Sequence, residues 1–469
     1  MNESPIQYVE YSTAIQPRSV KGRFRSIKSY VIVIAYAVFF ALPWLRWERA
    51  VGPDQALIFD LTTLRFYMFD FVVHPQDIYW LSILLFFAAV VLFFITTLAG
   101  RVFCGYFCFQ TIWTDAYRWI EHTIQGDRVA RLRLDKQGLT KEKIFKKGLT
   151  HFFWLSLSFW TALTFVLYWG NAPELLPNFF LGKAASAAYI TTLILTATTY
   201  LAAGFARDAI CRHVCPYSRF QSAMFDENTL IVSYDYNRGE SKEGRAKPMK
   251  ALKSLDDRKA ANVGDCVDCG FCVQVCPMGI DIRDGLQIDC IHCALCIDAC
   301  DNIMEKFGWD KGLISYTSEN LLQNKKNKYF NIRSVGYGIA SLISLGLLYI
   351  SITSSALLNV SVSQTRQPLF VTMSDGKVQN SYNFSFINKT MKPAKLELAL
   401  DGLADATISL GKIEGISIRA DSALRLYVRV IRKPNAPNVQ RNIPFRFKVT
   451  PIEGDLKEIV IIESQFITH

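Results

Sequence analysis

The sequence predicts three kinds of folding unit in one chain: an α-helical membrane domain of about five spans, a small cysteine-rich α+β unit, and a C-terminal all-β sandwich of immunoglobulin-like type. Three observations predict it. Apolar runs long enough to cross a bilayer recur as far as residue 358, eight of the twelve cysteines crowd into residues 266–300, and short alternating apolar and polar runs fill residues 359–469. An apolar content of 51% over 469 residues suits such a membrane-bound chain.

A bilayer core takes about 20 helical residues. Five runs approach or exceed that length: Ser29 to Leu45, Ile78 to Ala99, Leu149 to Trp169, Ala184 to Ala206, and Val335 to Leu358. The first four form a membrane domain, residues 1–233, with its loops, and the fifth occupies 334–358. Arg18, Lys21, Arg23, Arg25 and Lys28 precede the first run, and eight basic residues from Arg128 to Lys147 separate the second from the third. Lys325, Lys326, Lys328 and Arg333 precede the fifth. Basic residues near span ends stay on the cytoplasmic side. The amino terminus and the cysteine-rich unit are therefore expected inside, and the loop from Arg49 to Asp77 and the carboxyl terminus outside. All twelve cysteines then fall on the reducing side. The first run ends in Trp44-Leu45-Arg46-Trp47 with no small-residue cleavage site, so no cleavable leader is expected. The net charge of +11 brackets the spans and forms no reader motif, so it points to a bilayer surface and excludes nucleic acid.

Residues 234–262 are rich in charge and glycine and nearly free of large apolar groups, the composition of a linker. Beyond it, Cys266, Cys269, Cys272 and Cys276 are followed at once by Pro277. The same two-two-three spacing returns at Cys290, Cys293, Cys296 and Cys300, with Asp301 where the proline was. In ferredoxins with two [4Fe-4S] clusters, each run supplies three thiolates to one cubane and its last cysteine to the other. One cluster is therefore assigned to Cys266, Cys269, Cys272 and Cys300, and the other to Cys290, Cys293, Cys296 and Cys276. Residues 263–333 are read as a ferredoxin-like module that moves single electrons. Structural zinc is the competing reading, but zinc modules usually separate two cysteine pairs by a long insert.

Four more cysteines lie at the predicted cytoplasmic membrane face. Cys104 and Cys108 follow the second span, and Cys211 and Cys215 follow the fourth. Residues four apart share a helix face, so each pair can present two thiolates side by side. Arg101, Arg207, Arg212, His213 and Arg219 flank them, and cationic neighbours favour thiolate. Soft thiolates suit Cu(I) or an iron–sulfur centre; burial as small apolar residues is the alternative. His213 is a candidate fifth ligand, and His122 and His151 near span ends raise haem ligation, with no supporting pairing.

From Ser361 onward, runs such as Tyr382-Asn383-Phe384-Ser385-Phe386 and Leu424-Arg425-Leu426-Tyr427-Val428 alternate with period two, the pattern of half-buried strands. They fit a sandwich without a disulfide, serving as a docking surface or a solubilising cap.

The run Gly100-Arg101-Val102-Phe103-Cys104-Gly105-Tyr106-Phe107-Cys108 and its continuation to Asp115 resemble the cytochrome c oxidase accessory protein family known as FixG or CcoG. So do Cys211 to Tyr217, Gly264 to Arg283, and Gly52 to Ala56. Phe109 departs from the proline that the family places there. The resemblance implies a bacterial inner-membrane protein needed to assemble the copper-containing cbb-type oxidase, with reduction of Cu(II) to Cu(I) before copper delivery. It implies as partners a cytoplasmic electron donor, copper ions, and oxidase-assembly or copper-transport proteins. Cys104, Cys108, Cys211 and Cys215 then become candidates for the copper site or an additional redox centre. Two other readings remain open: a quinol-linked electron conduit, and a non-catalytic assembly scaffold.

Overall fold

In a computed structural model, residues 15–248, 252, 254–411, 415–433, 441–454, 456 and 458–468 are described. The amino terminus, expected inside, lies outside these residues. The chain divides into two compact units. One comprises Met1–Leu45, Ala56–Thr63 and Ile78–Leu348, and the other Arg46–Gln55, Leu64–Asp77 and Tyr349–His469.

The first unit begins with α1 (Arg23–Ala41), whose first amides need acceptors from outside the helix. The carboxylate of Asp298 supplies them, accepting from the main-chain N–H of Phe24 at 3.2 Å and of Arg25 at 2.7 Å. A carboxylate there also complements the positive end of the helix dipole. Then follow α2 (Tyr79–Ala99), α3 (Val102–Tyr106), α4 (Phe109–Gln125), α5 (Arg128–Lys136), α6 (Lys141–Leu167), α7 (Ala172–Phe180) and α8 (Ser186–Leu201). Beyond α8 the chain widens into π turns at Ala202–Ala206 and Ile210–Val214, a local irregularity often found at functional sites. Among the described residues five helical stretches are long and apolar enough to cross a membrane: Arg23–Trp44, Pro75–Ala99, Lys141–Leu167, Ser186–Val214 and Ile332–Thr353.

The cysteine-rich part is continuous with this helical region. The strands Ile231–Tyr234 and Ile314–Thr317 pair antiparallel, clasping the chain before and after both cysteine runs. Residues 234–262, which read as a linker, are folded onto the module where they are described. Arg258 is fully buried, and its guanidinium donates to the carbonyls of Gly264 and Cys266. A polar composition conceals this because the arginine satisfies main-chain acceptors instead of facing water.

In the second unit two antiparallel sheets face each other. One runs Ala406–Ser409, Ser422–Arg432, Val378–Asn388, Leu358–Gln364, with Val371–Thr372 also on Val378–Asn388; the other runs Ile416–Ile418, Ala394–Asp401, Asn442–Glu453, Val460–Ile467. Tyr382, Phe384 and Phe386 alternate inward, and the first two meet Phe445 and Phe447 from the opposite sheet. The loop segment Leu64–Asp77 belongs to this unit. Arg65 and His74 each meet the buried Asp421 carboxylate at 2.9 Å, and Lys389 meets Asp77 at 2.7 Å. The first loop and the tail therefore lie on the same side of any bilayer.

Candidate iron–sulfur and thiol sites

The two cysteine runs fold into the same loop twice. Residues Asp268 and Gly270 in the first, and His292 and Ala294 in the second, all adopt positive φ, between 45° and 63°. Alternation of right- and left-handed residues turns successive N–H groups inward and makes an anion-binding concavity, a device of many Fe–S sites. Each loop leads into a short helix, Phe271–Val275 or the start of Leu295–Phe307.

Two cavities lie between the loops. One, of about 20 Å³, is lined by Cys266, Cys269, Cys272 and Cys300; the other, also of about 20 Å³, by Cys276, Cys290, Cys293 and Cys296, with Cys272 also on its lining. Each cavity thus takes three cysteines of one run and the last of the other. Burial pushes the thiols up, Cys272 to about 12 and Cys276 to about 11, so a ligand there must supply the positive charge that makes thiolates stable. Among the described residues no three His, Cys, Asp or Glu side chains are gathered for a single metal ion. The crossed set of four cysteines on each cavity is the set that two cubanes would take.

The membrane-face cysteines do not lie along one helix face. Cys104 sits within α3, the helix breaks, and Cys108 adopts extended backbone at the head of α4. Cys211 lies in the second π turn, and Cys215, also extended, heads the helix Pro216–Ala223. The two pairs thus share one local design, with the second thiol at a helix N-terminus, where the dipole favours thiolate. Phe109, where the resemblance would place proline, is the first residue of α4 and stacks on Trp113 at 4.0 Å. Cys211 lies within electrostatic reach of Cys104, Cys108 and Cys215. For Cys104, burial outweighs the neighbouring Arg101 cation and pushes the thiol up to about 11; its Sγ donates to Oε1 of Gln221 at 3.0 Å. His213 is exposed, His122 is exposed, and His151 is half-buried with Nδ1 3.0 Å from the Tyr200 hydroxyl.

These thiols are docked against the second loop by groups that spacing does not reveal. Buried Arg101 uses its main-chain N–H on Nδ1 of His292 at 3.0 Å, its Nη1 on the carbonyls of Ile288 and Cys290, and its Nε on Gln221. Tyr106 donates to the Cys293 carbonyl at 3.2 Å. A Cβ on Gly105 would stand 2.8 Å from the Ile291 carbonyl oxygen, so only glycine allows the backbones to meet. One hydrophobic core contains Cys104, Cys266, Cys272, Cys290 and Cys293, with Cys211, Cys276, Cys296 and Cys300 packed on it.

Comparison with known proteins shows the family. Protein RdxA of Cereibacter sphaeroides is 37% identical over 89% of this chain and 89% of its own length. Nitrogen fixation protein FixG of Rhizobium meliloti is 37% identical over 84% of this chain and 80% of its own. Protein RdxB of Cereibacter sphaeroides is 40% identical over 84% and 83%. The chain belongs to the FixG family. Within this FixG-family chain, residues 206–319 match a 4Fe-4S dicluster domain, and 79–125 match a 4Fe-4S binding domain. Residues 348–469 match the immunoglobulin-like fold at the C-terminus of FixG, described as a putative oxidoreductase. The solved structure of a FixG-related protein from Vibrio parahaemolyticus aligns with 24% of this chain and 97% of its own at 26% identity, with a TM-score of 0.21. FixG-family membership and the two matched 4Fe-4S domains make this an iron–sulfur electron-transfer protein with a helical, membrane-type region.

Proposed function

We propose that this protein spans the bacterial inner membrane five times and takes electrons from a cytoplasmic donor. It passes them to the membrane-face thiols, where Cu(II) is reduced to Cu(I) for assembly of a cbb-type cytochrome oxidase. Cys266, Cys269, Cys272 and Cys300 would hold one [4Fe-4S] cluster, and Cys290, Cys293, Cys296 and Cys276 the other. When bound, such clusters supply one-electron carriage at potentials that depend on hydrogen bonding and solvent exposure. The carrying observation is the dock between α3 and the Cys290–Cys293 loop through Arg101, Gly105 and Tyr106. It sets Cys104 against the second cysteine loop, so in this reading the run beginning at Cys290 would adjoin the acceptor. Cu(II) is the substrate: it gains one electron, and thiolate sulfur stabilises the cuprous product. The carboxyl-terminal sandwich, outside the cytoplasm in this topology, would face the oxidase-assembly or copper-transport partner.

The test is cuprous-chelator colour from anaerobically reduced protein, wild type against Cys104→Ser/Cys211→Ser. Loss of colour in the variant with cluster absorbance intact supports the reading; unchanged colour removes the thiols from it.

A second reading, a quinol-linked conduit, draws on one observation. An apolar cavity of about 550 Å³ opens between α1, α4 and α6, walled by Tyr36, Trp119, Phe153 and Trp160 and ending at Asp115. Quinone turnover in vesicles without copper would favour it.

A further inference from the structure

Between the cysteine module, the segment before α1 and α4 lies a cavity of about 740 Å³, within the range of small-molecule sites. The helices that follow the two cysteine loops form one wall through Phe271, Val275, Leu295 and Ile303, with Pro277 beside Cys276. The basic segment before α1 and the side of α4 form the rest.

The charges on this lining do not cancel. Its carboxylates are already engaged: Asp115 with Arg25 at 2.8 Å and Lys28 at 3.5 Å, Asp127 with Arg18 at 3.5 Å, and Glu305 with Lys311 at 3.0 Å. Lys21, Arg118 and Lys306 also line the cavity and make no ion pair among the described residues. Arg131, 3% exposed, pairs with Glu121 through Nη1 at 3.3 Å but leaves Nε without a partner. Nε of Arg118 is likewise shielded from water and unpartnered, while its Nη2 donates to the Pro277 carbonyl at 3.0 Å. Burial and the nearby Arg207 cation push the Arg118 guanidinium down to about 10, against the opposing pull of the Asp115, Glu121 and Asp208 carboxylates. An anion with several oxygens would balance this excess of positive charge.

We propose that this cavity binds the phosphate group of a small molecule, held among Arg118, Arg131, Lys21 and Lys306 and against the helices that carry Cys272 and Cys300. Phosphate presents tetrahedrally disposed acceptors that guanidinium and ammonium groups can share, and its charge matches the unpaired excess. Exposed Trp119 on the same lining offers a flat face to a ring attached to that phosphate, while the Arg18 guanidinium lies over Phe271 at 4.3 Å. Two sources carry this chemistry, a soluble phosphate ester and an anionic lipid headgroup, since the adjoining α1 is one of the membrane-length helices.

The experiment uses full-length, iron-loaded protein in nanodiscs of neutral phosphatidylcholine, titrated calorimetrically with pyrophosphate and with flavin mononucleotide. A parallel set of discs containing phosphatidylglycerol is scored by lipid retained in native mass spectra. The variants are Arg118→Gln and, because Arg118 also holds the Pro277 carbonyl, Lys21→Gln/Lys306→Gln, whose two side chains are exposed and outside the packed core. We expect saturable binding from one source, weakened at least about tenfold in the double-lysine variant, as loss of charge-assisted hydrogen bonds predicts. Binding of the soluble esters supports a diffusible ligand, and retention of phosphatidylglycerol alone supports a headgroup. No binding in either arm, or binding unchanged in the double-lysine variant, overturns the site. Iron content, measured alongside, stays at the wild-type value in that variant whether or not the copper reading holds.

Discussion

The main-chain N–H of Arg101 donates to Nδ1 of His292 at 3.0 Å, joining the turn that carries Cys104 to the loop that carries Cys290 and Cys293. Accepting at Nδ1 leaves the imidazole proton on Nε2, and burial together with the Arg101 cation pushes His292 down to about 3, so the ring is neutral. It stacks on Phe225 with ring centres 5.6 Å apart. His292→Ala removes the acceptor and strands a buried amide, at a cost of about 1–3 kcal/mol. His292→Asn, which tolerates positive φ and keeps an acceptor, restores part of that. Chemical denaturation of the two variants, monitored by cluster absorbance, should rank them wild type, Asn, Ala; equal stability of all three would mean the bond contributes nothing.

Gly105 is a steric requirement of the same dock. Main chain at Ile291 and Cys293 lies within 3.1 Å of where a Cβ would be, and neither can move as a side-chain tip would. Gly105→Ala should destabilise by about 1–3 kcal/mol, the cost of overpacking. We expect normal membrane insertion, slower cuprous-chelator colour and retained iron. Wild-type kinetics in Gly105→Ala would contradict a close dock.

Crossed ligation gives a test by additivity. With Cys266 and Cys300 on one cavity and Cys276 on the other, Cys266→Ser/Cys300→Ser should lose one cluster and Cys266→Ser/Cys276→Ser should lose both. Iron analysis separates the cases, because ligation of each cluster within a single run predicts the reverse.

Asp421 should be critical for the sandwich unit. Its side chain is 1% exposed and meets both Arg65 and His74. Asp421→Ala leaves the partly buried Arg65 without its counter-ion and buried His74 without its hydrogen-bond partner, and should cost about 3–5 kcal/mol. Calorimetry of the full chain in detergent would show the transition of this unit moving down while the cluster absorbance transition stays in place.

Much of this was legible because it is local. The doubled cysteine spacing needs only sequence distance, and Tyr382, Phe384 and Phe386 declare a strand face by alternation. What escaped reading depends on partners far along the chain or on backbone. Residues 234–262 looked like a linker because Arg258 is charged, yet it caps carbonyls of the loop that begins at Gly264. The Cys104/Cys108 pair looked helical because four-residue spacing cannot reveal the break at Cys108. Nothing in the spacing brings Arg101 to His292, and the aromatic-rich segment Leu64–Asp77 gives no sign of Asp421.

The central claim is that eight cysteines enclose two iron cubanes rather than zinc. Iron, acid-labile sulfide and zinc analysis of anaerobically purified full-length protein, with EPR after reduction, tests it most directly. The account predicts at least about eight iron and eight sulfide per chain and spectra of two interacting clusters. Colourless protein with stoichiometric zinc and no sulfide would contradict it.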